Sequence, residues 1–203
     1  MERQVSIINT PERYQALSKF VHQHMTKGTD YGVIPGTNTK PTLLKPGAEK
    51  LCRLFGLATD TTLVYCVEDF TGKEHGEPLF YYRYRTVLTW RSELIATCEG
   101  SCNSWEKKYR YRDEKPTCPR CGVRAIRKSE REFYCWRKIE GCGATFPLSF
   151  AEIASQPIGK VPNNEIFDQI NTLQKMAQKR SLVGAVLLGT AASEFFTQDL
   201  EDI

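Results

Sequence analysis

Four cysteines constrain this chain more than any other feature of its sequence. Cys118 and Cys121 are separated by two residues, 13 residues follow, and Cys135 and Cys142 are then separated by six. Two thiolates two residues apart can reach one tetrahedral ion from a tight turn, and Gly122 permits the backbone conformation that such a turn needs. The second pair completes a shell of four sulfurs with no open position for water. The spacing therefore predicts a structural Zn²⁺ ion that does no chemistry of its own.

Two alternatives for the cysteines stay open from the sequence. The six-residue interval departs from the more common two-residue one, and Cys98 and Cys102 offer another pair of sulfurs upstream. Their spacing of four on a predicted strand places both on one face, where small buried cysteines are ordinary. Disulfides are the other alternative, but half of the eight cysteines fall in one metal-ligand spacing. We therefore favour metal binding in a reducing compartment.

The sequence carries no recognisable signal for export or membrane insertion. Met1 to Asn9 lack the basic, apolar and small-residue parts of a secretory signal. No run approaches the roughly 18 apolar residues that a membrane span needs. We therefore expect a cytoplasmic protein without a membrane partner.

Charge is concentrated in one segment of the chain. Residues 107 to 138 hold 12 Lys or Arg and 4 acidic residues, a net charge of +8, whereas the rest of the chain has a net charge of −4. A concentrated positive segment attracts polyanions while the remaining body stays soluble. Nucleic acid is the predicted partner, and the charge does not distinguish DNA from RNA.

Aromatic residues lie among these cations and supply the second component of a single-strand site, a surface on which bases stack. In a small module an aromatic side chain can also simply cover the metal, and charges can simply be solvated. The candidate nucleic-acid-binding residues of this segment are Lys107, Lys108, Arg110, Arg124, Arg127, Lys128, Arg131, Tyr134, Trp136, Arg137 and Lys138.

The segment CPRCGVRAIRKSEREFYCWRKIEGCGATF resembles the zinc ribbons at the C-termini of bacterial type I topoisomerases. The shared features are the CPxCG start, the central basic stretch, the aromatic residue before the third cysteine and the terminal aromatic residue. The resemblance implies contact with single-stranded DNA, although such ribbons also bind RNA, duplex DNA and protein. We expect an inserted zinc ribbon over 107–147, within a body formed by 1–106 and 148–203.

The body has the patterns of a mixed α+β fold. A helix is predicted from Thr10 to about Met25, a ligand-facing loop over Thr26 to Pro46, and a short helix that stops at Gly56. Period-2 patterns and turn residues predict strands over Thr61 to Phe70, Leu79 to Trp90 and Leu94 to Trp105, and helical periodicity predicts a long helix from about Glu165 to Leu188. These elements predict an antiparallel three-stranded β-meander packed on a long helix.

Two parts of the body could meet phosphate. In the second strand the alternation places Phe80 and Tyr82 on one face and Arg83 and Arg85 on the other, so one face packs and the other is basic. Lys45 precedes the short helix, whose free backbone amides could bind an anion.

The order of these elements resembles that of phage single-strand annealing proteins of the Erf and Sak-like recombinase superfamily. The matching stretches are FYYRYRTVLTW, LIATCEG and KMAQKRSLVGAVL. The resemblance implies DNA recombination by single-strand annealing in a bacterial or phage-infected cytosol. It also implies a homo-oligomer, often a ring, with a basic groove that holds one strand. The backbone contacts would then be Arg83, Arg85, Lys175, Lys179 and Arg180.

The sequence also bears on two other classes of function. A zinc-ribbon adaptor of a transcription, replication or defence complex would bind protein partners through the acidic tail from Phe195 to Ile203. An enzyme is not expected, because His22, His24 and His75 are the only histidines and no nucleophile motif is present. Carboxylates brought together by folding, as in a nuclease, stay open from the sequence.

Overall fold

The computed structural model describes residues 10–33 and 40–197. The expectations for 1–9, for part of the predicted ligand-facing loop (34–39) and for the end of the acidic tail (198–203) lie outside these ranges. The chain divides into two compact units. The first comprises Met1–Asn103 and Asn171–Ile203, and the second comprises Ser104–Ile170. The predicted insertion at 107–147 falls within the second unit.

Ten strands and five α-helices make up the described fold. In chain order they are α1 (Thr10–His24), β1 (Tyr31–Gly32), β2 (Thr42–Leu43), α2 (Lys45–Phe55), β3 (Ala58–Asp69), β4 (Leu79–Trp90), β5 (Glu93–Asn103), α3 (Lys107–Arg110), β6 (Tyr111–Glu114), β7 (Ile126–Lys128), β8 (Glu132–Cys135), β9 (Thr145–Pro147), α4 (Ala151–Ala154), β10 (Gly159–Pro162) and α5 (Ile170–Thr190). Among the described helices, none combines the length and the apolar character that a membrane span requires.

The first unit is built on the antiparallel sheet β3-β4-β5, which packs against α5. Phe80, Tyr82 and Leu88 of β4 are buried, as the alternation of the sequence predicted. Thr86 of the same face lies 2.8 Å from Ser181 of α5, hydroxyl to hydroxyl. The predicted α+β class, with a meander packed on the long helix, is confirmed.

The long helix begins later than its sequence pattern indicated. Glu165 donates its backbone amide to the Asn163 side chain at 3.1 Å. It precedes a 3-10 turn over Ile166–Gln169, and α5 starts only at Ile170. The predicted start near Glu165 was wrong because a 3-10 turn occupies the first residues of the predicted helix.

β5 and α5 approach most closely at Gly100. A Cβ atom at this position would lie 2.3 Å from the backbone nitrogen of Ser181 and 2.8 Å from the carbonyl oxygen of Ala177. Glycine is therefore required for the sheet and the helix to pack at their observed separation.

A hydrophobic core joins α1, α2, α5 and the sheet. It includes Leu17, Leu51, Cys52, Leu88 and Val186, all of which are buried. Burial raises the pKa of the Cys52 thiol to about 11, so this cysteine is an inert core residue.

A buried carboxylate joins the end of α1 to α2. The Asp30 carboxylate accepts hydrogen bonds from the Thr26 amide at 2.7 Å and the Lys50 ammonium at 2.6 Å, and Lys50 also donates to the His24 carbonyl. Burial acts to raise the pKa of Asp30, but the bonds from Lys50 and Thr26 outweigh it, and the pKa is lowered. These bonds hold the first residues of the predicted ligand-facing loop against the end of α1 and against α2.

The turn between β3 and β4 is organised by Asp69. Its carboxylate accepts from the amides of Gly72 at 2.8 Å and Glu74 at 3.1 Å, and it lies 3.1 Å from Nδ1 of His75. Burial opposes the charged form, but bonds from His75 and the loop amides lower the pKa of Asp69 to about 2. The structure therefore places His75 in a structural turn.

This carboxylate predicts a pH dependence of stability. Because the folded pKa lies below the ordinary value of about 3.9, its contribution is complete above roughly pH 5 and is lost as the pH falls towards 2. In Asp69→Asn we expect a flatter dependence of Tm on pH over this window, measured by thermal unfolding. Asp60→Asn, an exposed carboxylate on β3, is the control. Equal slopes for the wild type and Asp69→Asn would contradict this role.

The second unit contains the sheet β7-β8-β9 and the β6-β10 pair, both antiparallel. This small module has a core of its own, in which Cys118, Ile126, Phe133, Cys135 and Ile153 are buried together. Ile153 comes from α4, beyond the predicted boundary of the insertion. The segment after residue 147 therefore contributes to the module.

Candidate metal centre and nucleic-acid interface

The four cysteines lie together in the second unit. Sγ of Cys118 is 3.8 Å from Sγ of Cys142, and Sγ of Cys121 is 3.7 Å from Sγ of Cys135. All four sulfurs lie within 4.8 Å of one another. A tetrahedral ion with metal–sulfur bonds of about 2.3 Å requires sulfur–sulfur distances of about 3.8 Å, whereas a disulfide requires about 2.05 Å. The donor set therefore fits one metal ion.

A tight turn presents the first two sulfurs. The Gly122 amide donates to the Cys118 carbonyl at 2.8 Å, and the Cys118 amide donates to the Val123 carbonyl at 2.9 Å. Gly122 has φ = +74°, in the region that favours glycine. The turn agrees with the role that the sequence assigned to this glycine.

The six-residue interval between Cys135 and Cys142 is accommodated by a 3-10 turn over Arg137–Ile139. Glu140 follows with φ = +64°, and the Gly141 amide then returns to the Trp136 carbonyl at 3.1 Å. A Cβ atom at Gly141 would lie 2.7 Å from Sγ of Cys135. Glycine there lets the chain fold back far enough for both sulfurs to face the same point.

The surroundings of Cys121 and Cys135 shift the pKa values of their thiols in opposite directions. The backbone amides of Val123 and Cys142 contribute to lowering the pKa of Cys121 to about 7, against the opposing effect of burial. Burial raises the pKa of Cys135 to about 12, although the Cys142 amide donates to its sulfur at 3.3 Å. The Cys121 thiol thus ionises more readily than the Cys135 thiol before a metal binds.

Within the described residues, the four cysteines are the one group of three or more metal-ligating side chains. Cys98 and Cys102 lie in β5 of the first unit, so the structure does not add them to the cluster.

The sheet of the second unit has one face directed away from its core. Phe133 and Cys135 are buried, while the alternate residue Tyr134 pairs with Arg127 of β7 and Thr145 of β9. The Arg127 guanidinium carbon lies 3.6 Å from the centre of the Trp136 ring, and Nζ of Lys138 lies 5.9 Å from it. We call these residues the aromatic–basic face: Arg127, Tyr134, Trp136 and Lys138.

The other cations predicted in this unit are distributed more widely. Lys128 and Arg131 are exposed near the β7–β8 turn. Arg124 forms an ion pair with Glu114 at 3.4 Å. The remaining predicted contacts are Arg137, which packs beside Gly143, and Lys107, Lys108 and Arg110, which belong to α3.

The five cations predicted to line one groove of the body are not brought together. Lys175 and Lys179 of α5 line a groove of about 530 Å³, which Lys45 also lines. Arg83 and Arg85 lie on the sheet face away from α5, where both pair with Glu99, at 3.6 and 2.6 Å.

Arg180 has a local structural role. Its guanidinium donates to the Ser101 carbonyl at 2.5 Å and so links α5 to β5. Glu99 was not predicted from the sequence as the partner of Arg83 and Arg85. Its position opposite Arg85 in the β4–β5 hairpin was the available signal, because facing residues of antiparallel strands interact directly.

Comparison with protein-family models, curated proteins and solved structures finds no match to this chain.

Proposed function

We propose that the protein binds single-stranded nucleic acid through the aromatic–basic face of its second unit. The observation that carries the proposal is the stacked Arg127–Trp136 pair, which lies beside Tyr134 on the outward side of a small sheet. Single-strand sites combine ring surfaces for bases with cations for phosphates. A guanidinium held close over an indole has less freedom to lose when it meets a phosphate.

The charge balance of this face supports a polyanionic partner. In the part of the chain that the structure describes, no carboxylate forms an ion pair with Arg127, Lys128 or Lys138. The ion pair of Arg124 shows that the unit does pair other cations internally. Unpaired cations beside partly exposed rings favour phosphate as the ligand over a neutral surface.

Zinc is the metal that best suits the four sulfurs. Four thiolates in tetrahedral arrangement select zinc or iron, and a closed shell leaves the ion a structural role. The ion would tie the two cysteine turns together and fix the sheet that carries the aromatic–basic face, completing the zinc ribbon that the sequence suggested. Catalysis is not part of the proposal.

The body supplies a second candidate contact. Lys45, Lys175 and Lys179 surround one groove, which agrees with the backbone contacts that the annealing-protein resemblance implies at Lys175 and Lys179. We therefore propose single-strand DNA annealing by a homo-oligomer, with RNA as the alternative ligand. Arg83 and Arg85 would contribute less, because Glu99 neutralises part of their charge.

A binding titration with matched arginine variants tests the proposal. Arg127→Gln removes the cation on Trp136, and Arg91→Gln removes the equivalent cation on Trp90, where the guanidinium carbon is 4.4 Å from the ring centre. Fluorescence anisotropy of a labelled single strand and of a duplex is measured at several salt concentrations. In Arg127→Gln we expect several-fold weaker single-strand binding. The slope of log affinity against log salt concentration should be smaller in magnitude by about 0.7, because one phosphate contact is lost.

The Arg91→Gln control should bind like the wild type. Equal affinity of the wild type for duplex and single strand would contradict the proposal, as would an unchanged affinity and salt slope in Arg127→Gln.

A further inference from the structure

We propose that Trp105, Arg110 and Tyr111 form a second base-stacking site in the second unit. The proposal rests on the proposed single-strand function and adds a ligand contact that the sequence motifs did not suggest, because Trp105 and Tyr111 lie outside the cysteine segment. The ligand is the base and adjoining phosphate of a single strand, and the site binds them whichever base is present.

The local backbone turns one aromatic residue inward and two outward. The amides of Tyr109 and Arg110 donate to the Glu106 carbonyl at 2.8 and 2.9 Å, which closes the single turn of α3. Tyr109 is 7% exposed and anchors this turn in the unit. Trp105 and Tyr111 remain 37% and 38% exposed. Because Tyr109 is the buried anchor, the two outward rings retain ring surface for a ligand.

Arg110 lies near both outward rings. Its guanidinium carbon lies 5.6 Å from the centre of the Trp105 ring and 5.8 Å from that of Tyr111. A cation attracted to both rings stays near them. The arrangement therefore offers ring surface and positive charge side by side, matching the alternation of base and phosphate along a strand.

Neighbouring charge favours nucleic acid over an acidic peptide as the ligand. Lys107 and Lys108 precede Arg110 in the same turn. Nζ of Lys108 lies 4.8 Å from the centre of the Tyr109 ring and pairs with Glu106 at 3.3 Å, so the three cations of this turn face one nearby carboxylate. An acidic peptide would need the cations alone, whereas a strand also uses the flat rings. A single strand is therefore the ligand that uses both exposed rings, because its bases stack on them.

This second site and the metal-holding sheet are built from different strands. Tyr111 belongs to β6, which pairs with β10, whereas the aromatic–basic face belongs to β7-β8-β9. Stacking at the two places can therefore be measured independently. The chain has only three tryptophans, Trp90, Trp105 and Trp136, so each ring can serve as a separate reporter.

The test uses full-length variants with one tryptophan each. Trp90→Phe/Trp136→Phe leaves Trp105, and Trp90→Phe/Trp105→Phe leaves Trp136. Each is titrated with a thymine homopolymer of about 30 nucleotides and with an abasic strand of equal length. We expect saturable quenching of Trp105 by the thymine strand and little quenching by the abasic strand. Adding Tyr111→Ser should weaken the Trp105 titration by roughly tenfold.

The outcomes separate the two proposals. Quenching of Trp136 with an unchanged Trp105 signal would overturn the second site and retain the proposed function. Quenching of Trp105 alone would support the second site and reject the aromatic–basic face. No binding of either variant or of the wild type would overturn both. Equal quenching by thymine and abasic strands would overturn stacking at Trp105.

Discussion

Cys118→Ser is expected to release the metal and to unfold much of the second unit. Cys118 supplies one of four sulfurs and is also buried in the small core with Ile126 and Phe133. Its loss therefore removes a ligand and leaves a polar hydroxyl in an apolar site. Because binding of a structural zinc ion contributes on the order of 10 kcal/mol to folding, one lost ligand should leave the unit without its main source of stability.

Elemental analysis and amide hydrogen exchange of the full chain measure this outcome. We expect metal content to fall from about one ion per chain to near zero, since a structural site of this kind holds one ion. Amides of β7, β8 and β9 should exchange rapidly, while those of β3, β4 and β5 keep their protection. Single-strand affinity should fall together with the metal.

The matched control is Cys66→Ser, which makes the same substitution at an exposed cysteine of β3 outside the cluster. It should retain metal, protection and binding. Full metal content and unchanged exchange in Cys118→Ser would contradict the assignment of the four cysteines.

Gly100→Ala is expected to destabilise the first unit by about 3 kcal/mol, at the upper end of ordinary overpacking. The new methyl group would meet the backbone of α5, at the Ser181 nitrogen and the Ala177 carbonyl, and not the end of a flexible side chain. The helix would have to move away from the sheet. That movement would also disturb the Thr86–Ser181 hydrogen bond.

Urea unfolding, followed by circular dichroism, measures the change in the free energy of unfolding. Gly32→Ala is the matched control, since a Cβ atom there would meet nothing within 4 Å and the residue does not have positive φ. We expect the control to stay within about 0.5 kcal/mol of the wild type. Equal stability of the two alanine variants would contradict close packing at Gly100.

The parts of the fold that follow from local patterns could be predicted from the sequence. The alternation in FYYRYRTVLTW identified β4 with the correct bounds and the correct buried face. Gly56 identified the end of α2, where it has φ = +62°. These predictions succeeded because strand alternation and helix capping depend on residues close together in the chain.

Features that depend on distant residues could not be predicted in the same way. Arg83 and Arg85 share the charge of Lys175 and Lys179 but lie on the other side of the sheet, because the opposite face of β4 packs against α5. The contribution of Ile153 to the small core also escaped prediction, since it requires α4 to return to the cysteine turns.

The metal site could be predicted from the sequence only in part. The cysteine spacing predicted which sulfurs come together, whereas the path between Cys135 and Cys142 depends on backbone conformations at Glu140 and Gly141 that spacing alone does not specify. The partner of the outward face was predicted only as a class, because cations and rings constrain the chemistry of a ligand more than its identity.

Photocrosslinking of the wild-type protein to a thymine homopolymer tests the central claim most directly. Mass spectrometry of the digested complex locates the crosslinked residues. We predict crosslinks at Tyr134 or Trp136, on the aromatic–basic face, that disappear when a chelator removes the metal. Crosslinks confined to the first unit, or crosslinks at this face that persist without the metal, would contradict the account.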